Sequence, residues 1–281
     1  MMNGLHDAWL IGTHAGIYTD AGQDGWQRLG GYQFAINGID RKHGRVLAAT
    51  GSGVWEVRKD RWIQRHDETL TEVMDVMVAG DSIIAASAYG IAYGRTEPSQ
   101  ATRWQWLSDS LPVNQRFTNT ILSLGGTGQL VGTEGGLLVH DGSGQFQPTE
   151  ITDGIRDLVR FGTRYLAATD SGIWTSEEGL LWQKGSVDDG SFALAATGDL
   201  ALAGTEDGVL TSKDGDHWQA ARLAGMRVCA VEISGADPDH WCAGGVPGGL
   251  WISKDGGRCW QDVPQIPNEV EVISAPEANR S

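Results

Sequence analysis

The sequence predicts an all-β fold, a single seven-bladed antiparallel β-propeller with four strands per blade spanning residues 1–281. Three observations carry that expectation. A short phrase recurs seven times, an aromatic residue follows each copy at a similar distance, and the two ends of the chain hold complementary fragments of one unit. The phrase is an apolar run, two small residues, Thr or Ser, two free positions, Gly, and further apolar residues. It reads Leu10-Ile11-Gly12-Thr13-His14-Ala15-Gly16-Ile17 in the first copy and Leu166-Ala167-Ala168-Thr169-Asp170-Ser171-Gly172-Ile173 in the fifth. Its marker glycines, 16, 53, 90, 136, 172, 208 and 249, are 37, 37, 46, 36, 36 and 41 residues apart, the spacing of a repeat array.

Each copy reads as a hairpin. Thr or Ser ends one strand (B), two residues turn, and Gly supplies the positive φ such turns need before the next strand (C) begins. The seventh copy, Cys242-Ala243-Gly244-Gly245-Val246-Pro247-Gly248-Gly249-Leu250, carries one residue more. Trp26, Trp62, Trp104 with Trp106, Phe146, Trp182, Trp218 and Trp260 mark an outer strand D. Upstream runs such as Val73-Met74-Asp75-Val76-Met77-Val78 supply an inner strand A. The first copy begins too near residue 1 to have its own strand A, whereas Asn268-Glu269-Val270-Glu271-Val272-Ile273-Ser274 follows the last copy with no unit to join. Residues near 269–275 are therefore expected to complete blade 1, which removes an exposed sheet edge.

Composition restricts the function. A formal net charge of -15 disfavours nucleic acid and anionic membranes, which need clustered Lys and Arg, and leaves basic or neutral protein partners. No apolar run is long enough for membrane insertion, and the opening Met1-Met2-Asn3-Gly4-Leu5-His6-Asp7 lacks a basic segment followed by an apolar one, so a cytoplasmic location is expected. Cys229, Cys242 and Cys259 lack zinc spacing. The first two could face each other across the A to B hairpin of blade 7, but in a reducing compartment they read as small apolar side chains. The seven histidines show no metal-ligand spacing, and no phosphate-cradling Gly-rich loop is present; no metal and no cofactor is expected.

A second motif lies between strands C and D. Ser253-Lys254-Asp255-Gly256-Gly257-Arg258-Cys259-Trp260 has the form Ser-x-Asp-x-Gly-x-x-Trp, and Ser212-Lys213-Asp214-Gly215-Asp216-His217-Trp218 is one residue shorter. Ser176-Glu177-Glu178-Gly179-Leu180-Leu181-Trp182 and Thr19-Asp20-Ala21-Gly22-Gln23-Asp24-Gly25-Trp26 are degenerate copies. This motif resembles the Asp-box of BNR-repeat propellers, a group that includes sialidases, sortilin-type receptors, xyloglucanases and the photosystem II stability or assembly factor. The resemblance implies a structural role on the outer rim for Ser212, Asp214, Trp218, Ser253, Asp255 and Trp260. It does not carry over catalysis, because the N-terminal Arg-Ile-Pro of sialidases is absent and Tyr32 and Tyr89 have no Glu partner at a readable position. All twelve tryptophans sit at repeat positions, which favours packing between blades over ligand stacking.

Function is expected where the repeats differ, on the face that gathers the B to C turns and the segments leading into strand A. His14, Tyr89, Glu134, Asp170, Glu206 and Asp207 occupy those turns, and Arg116, Arg156 and Arg227 stand near the starts of strand A. Blades 4 to 6 concentrate the acidic members, and like charges at a channel mouth attract basic groups. The favoured reading is a non-catalytic interaction or assembly scaffold that docks a protein on this acidic loop face. The alternative is a glycan-acting hydrolase or lyase using a pair of carboxylates from Glu134, Asp170, Glu206 and Asp207.

Overall fold

A computed structural model of the protein describes residues 5–22, 25–42, 44–95, 102–142 and 145–276. They form seven four-stranded antiparallel sheets. In the order A to D, blade 1 is Val270–Ser274, Leu10–Thr13, Gly16–Gly22 and Gly25–Arg28, and blade 2 is Ile36–Lys42, Arg45–Thr50, Gly53–Val57 and Trp62–Gln64. Blade 3 is Val73–Ala79, Ser82–Ser87, Gly90–Arg95 and Arg103–Trp106, and blade 4 is Thr118–Gly125, Gly128–Thr133, Gly136–His140 and Gln147–Pro148. Blade 5 is Ile155–Phe161, Arg164–Thr169, Gly172–Ser176 and Gln183–Lys184, and blade 6 is Ser191–Thr197, Leu200–Thr205, Gly208–Ser212 and Gln219–Ala220. Blade 7 is Val228–Ile233, Trp241–Gly245, Gly249–Ser253 and Gln261–Asp262. Each strand A touches the strand A of both neighbouring blades, so the seven inner strands close into a ring. The closing strand is the expected one: Leu10 pairs with Ser274, Ile11 with Ile273 and Gly12 with Val272.

The repeated phrase has a local physical cause. In five copies the Thr hydroxyl donates to the carbonyl of the marker Gly, from Thr13, Thr50, Thr133, Thr169 and Thr205, at 2.8–3.0 Å. Gly172 has φ +133 and Gly208 φ +103, and a Cβ on either would run into the carbonyl oxygen of Val187 or Leu223, where the chain passes from strand D to the next strand A. Gly is thus required twice, for the turn and for the crossing chain. The motif between C and D is equally local. Ser212 Oγ accepts the Gly215 N–H at 2.9 Å and Asp214 Oδ1 accepts those of Asp216 and His217, and these bonds hold the Asp214 carboxyl below the usual carboxylate range. Ser253 and Asp255 repeat the arrangement on Gly257 and Cys259. The blade 1 copy falls partly outside the described residues.

Strand D aromatics fill the wedges between blades. Trp182 joins the cluster of Leu130, Leu137, Ile155 and Leu158 from blades 4 and 5, and Trp218 joins that of Phe161, Leu166, Ala201 and Ala203 from blades 5 and 6. Phe146 does the same between blades 3 and 4. Trp182, Trp218 and Trp260 each stand one residue ahead of a two-residue strand D rather than within it, since the ladder begins only after the ring has turned into the wedge. Trp182 is 5 % exposed, so Trp182→Ala is expected to cost about 3–5 kcal/mol in urea denaturation. Half-buried Trp218 and Trp260 should cost less on truncation. A Trp182→Ala chain with an unchanged urea midpoint would remove the wedge-filling role.

The inner ring is tied by carboxylates. Among the described residues, strand A has no further strand on its channel side, and four acidic side chains bond backbone N–H groups there. Asp40 Oδ2 accepts from Val78 at 2.6 Å, Asp75 Oδ2 from Ile121 at 2.9 Å and Asp157 Oδ2 from Leu194 at 2.7 Å, in each case on the following blade. Glu232 accepts from Ile233 at 2.9 Å and from the backbone of Ala275 beyond the closing strand. Burial pushes Asp75, Asp157 and Glu232 up to about 7, against the bonds they accept. The carboxyls also raise one another, Asp157 and Asp40 acting on Asp75 and Glu232 on Asp157, while Arg41 opposes the rise at Glu232.

The thiols correct one expectation. Cys242 pairs with Glu232, not with Cys229, because the A to B hairpin sets a register three residues away from that pairing, and a bulge between Val228 and Ala230 leaves Cys229 outside the ladder altogether. All three cysteines are free: Cys242 is buried as a small apolar side chain, Cys229 is half-buried and Cys259 is exposed.

Candidate functional site

The bulge of blade 7 is one of seven. Every strand A slips by one residue after its first residue, so that blades 1 to 7 present Glu271, Asn37, Met74, Asn119, Arg156, Phe192 and Cys229 outside the ladder. A bulge re-aims the extra side chain and increases local twist. Here it gives each blade one free side chain beside its B to C turn. None is fully buried, whereas the residue before each of them is. Asn37 Nδ2 donates to the Val73 carbonyl at 2.8 Å and Asn119 Nδ2 to that of Ile155 at 2.9 Å, linking neighbouring blades at this level.

Around this ring the acidic turns of blades 4 to 6 are met by arginines. Arg156 donates from Nη1 to Glu134 Oε1 and from Nε to Asp170 Oδ1, both at 2.7 Å, and from Nη2 to Asp170 Oδ2 at 3.0 Å. The Asp170 bonds raise the guanidinium pKa above its usual value, partial burial opposes that, and Glu134 adds to the rise. Asn119 Nδ2 donates to the same Glu134 oxygen at 2.9 Å. Arg227 lies 4.1 Å over the Phe192 ring, its Nε 3.8 Å from Glu206 Oε1. Asp207 Oδ1 accepts the Gly225 N–H at 2.8 Å. In blade 1, both ring nitrogens of His14 face carboxylates, Glu269 and Glu271, at 2.7 Å each. Arg116 is committed to structure, donating to the carbonyls of Leu111 and Asp109 at 2.8 Å and fixing the connection between blades 3 and 4.

The acidic members therefore do not stand as a field of unpaired charge; two of them share one arginine. Both carboxylates are thus already engaged by one guanidinium, in an ion-paired cluster rather than as a free acid and base pair. Among the described residues, no group of three or more His, Cys, Asp or Glu is arranged to hold a metal ion.

Of the apolar character of this face, sequence reasoning found only Tyr89. Met74, Tyr89, Val113 and Phe117 are exposed large hydrophobics, with Tyr89 at 57 % and Val113 at 71 %. They come from the bulge and turn of blade 3, the short 3-10 turn Val113–Gln115 and the residue ahead of strand A of blade 4. A signal for the bulge ring was present. In blades 3 and 5 the buried apolar residues of strand A stand three apart, Val73 and Val76 or Ile155 and Leu158, where an unbroken strand would place them two apart.

No family profile matches the chain, and no curated protein matches it. Solved structures do. The β-propeller domain of Cps50 (Swd1) from Myceliophteria thermophila superposes with a TM-score of 0.68 at 16% identity, covering 94% of this chain and 96% of that one. YCF48 from Cyanidioschyzon merolae gives 0.61 at 16% identity over 84% and 86%. The computationally designed Ika8 protein gives 0.66 at 14% identity over 95% and 86%. The shared property at such identities is the propeller fold.

Proposed function

We propose that the protein is a non-catalytic interaction or assembly scaffold that docks a basic or neutral protein partner on the loop face. One observation carries this reading: the exposed Met74, Tyr89, Val113 and Phe117 lie on the same face as the charged turns of Glu134, Asp170, Glu206 and Asp207. Apolar anchors beside polar, charged residues are the composition of a protein-binding patch, and net charge of -15 selects against acidic partners. The resemblance of the C to D motif to BNR-repeat propellers, some of which serve assembly, agrees with it. The glycan-hydrolase alternative loses ground because Arg156 engages the two most suitable carboxylates.

The test begins with a partner identified by cross-linking and mass spectrometry in the native host, then measured with purified proteins. Tyr89→Ser combined with Phe117→Ser should weaken binding by about 30-fold or more, as loss of central aromatic anchors does. Leu181→Ser, on the opposite face, should leave it unchanged. Replacing Glu134, Asp170, Glu206 and Asp207 by Gln or Asn should slow association and flatten its salt dependence. Binding that survives both loop-face variants would place docking elsewhere. Turnover of a glycan abolished by the quadruple variant would establish the enzyme instead.

A further inference from the structure

On the face opposite the loop face, blades 3 and 4 part to leave a cleft of about 640 Å³. Its floor is apolar: Met77, Ile84 and Tyr93 from strands A, B and C of blade 3, and Leu107 just after its strand D. Its rim is polar, with Lys42, Gln129 and His140. This is the wedge in which the repeat departs from its own rule, since Phe146, just ahead of strand D of blade 4, stands where the other six blades carry Trp.

The departure extends to the residues beside the aromatic. His140 pairs with Gln129 at the ladder position where Ser176, Ser212 and Ser253 pair with Tyr165, Ala201 and Trp241. His140 takes over the turn-holding role of those serines, its Nδ1 accepting the Gly142 N–H at 3.1 Å. Its ring lies 4.9 Å from that of Phe146. Gln129 Oε1 is buried without a hydrogen-bond partner, an acceptor that costs free energy unless a donor arrives. Among the described residues no carboxylate pairs with the exposed Lys42, although acidic residues far outnumber basic ones in the chain.

We propose that this cleft binds a small aromatic anion, its ring system on the Met77, Ile84, Tyr93 and Leu107 floor and its acidic group toward Lys42. A volume of this size accepts a molecule of roughly 10–25 heavy atoms, and an apolar cleft with few convergent polar groups is the usual form of such sites. A lone ammonium beside an apolar floor discriminates for an anion by charge, and the unsatisfied Gln129 oxygen adds recognition of an N–H or O–H on the ligand. The loop-face variants above leave this cleft intact, so either reading can fail without the other.

The test uses two fluorescent probes on the full chain, the anionic 8-anilinonaphthalene-1-sulfonate and the neutral N-phenyl-1-naphthylamine, with calorimetry for stoichiometry. The expected result is saturable one-to-one binding of the anion, weakened about tenfold by Lys42→Glu, while the neutral probe changes less than about twofold. Ser123→Trp and, separately, Ala79→Phe fill the cleft and should abolish binding of both probes; a cooperative melting transition in each variant shows that it is folded. Absence of saturable binding, binding indifferent to both filling variants, or equal loss of both probes in Lys42→Glu would overturn the proposal.

Discussion

Removing residues 268–281 is expected to abolish the native fold rather than trim a tail. The deletion takes away strand A of blade 1, which stands in the inner ring between the strands A of blades 2 and 7. Val270 and Ile273 are 0 % and 6 % exposed, and burial of such side chains is worth about 1.5–3 kcal/mol each. The Arg41 Nη2 bond to the Ser274 carbonyl, at 2.8 Å, and the Asn268 carbonyl that accepts from Gly248 and Gly249 go with it. Strand B of blade 1 would then offer an unpaired apolar edge, Leu10-Ile11-Gly12-Thr13, to other chains. Against a total stability of about 5–15 kcal/mol the loss is decisive. The shortened chain should elute as aggregate and show no cooperative melting; a peptide of residues 266–276 added in trans should restore it. A truncated chain melting at the temperature of the full one would refute the closure.

The second large effect is on pH. Asp75, Asp157 and Glu232 have folded-state pKa values raised to about 7, well above the carboxylate range of an unfolded chain. The folded protein therefore binds more protons than the unfolded one between those limits. The stability these groups contribute is fully present below pH 4 and is lost as pH rises through 7. The urea midpoint should be higher at pH 5.5 than at pH 8, with a difference of a few kcal/mol in unfolding free energy. Asp75→Asn, which cannot ionise, should reduce that slope, because it never carries the buried charge that the native side chain takes on as pH rises through 7. A midpoint that rises from pH 5.5 to pH 8 would show that the accepted N–H bonds outweigh burial.

Almost all of the architecture was legible because the repeat encodes local constraints. Thr and Gly in the B to C turns, Trp in the wedges and the orphan strand at 270–274 each have one physical solution, and each recurs or completes a recurrence. The loop face was legible in part. Glu134, Asp170 and Arg156 were readable as members of one face, but not as two carboxylates on the same guanidinium, which depends on a bulge that turns Arg156 out of its ladder. Phe117 and Val113 lie in the one long connection, between blades 3 and 4, where no repeat supplies a register to read them against. The channel carboxylates were visible as single acidic residues in apolar strands. Their bonds run from one blade to the next, and that relation exists only after the ring has closed.

The clasp also sets an order in time. His14 and its partner Glu271 are 257 residues apart, so on a ribosome adding about 5–20 residues each second the first hairpin waits roughly 13–50 s for the strand that covers its edge. Blades 2 to 7 are each built from consecutive segments and can pair as they emerge, whereas blade 1 cannot be finished before the last of them. Ring closure is thus the contact of greatest sequence separation and the step that folding reaches last. Until then the nascent chain carries an open seam, and it is during synthesis, not after it, that this protein is most exposed to misassembly.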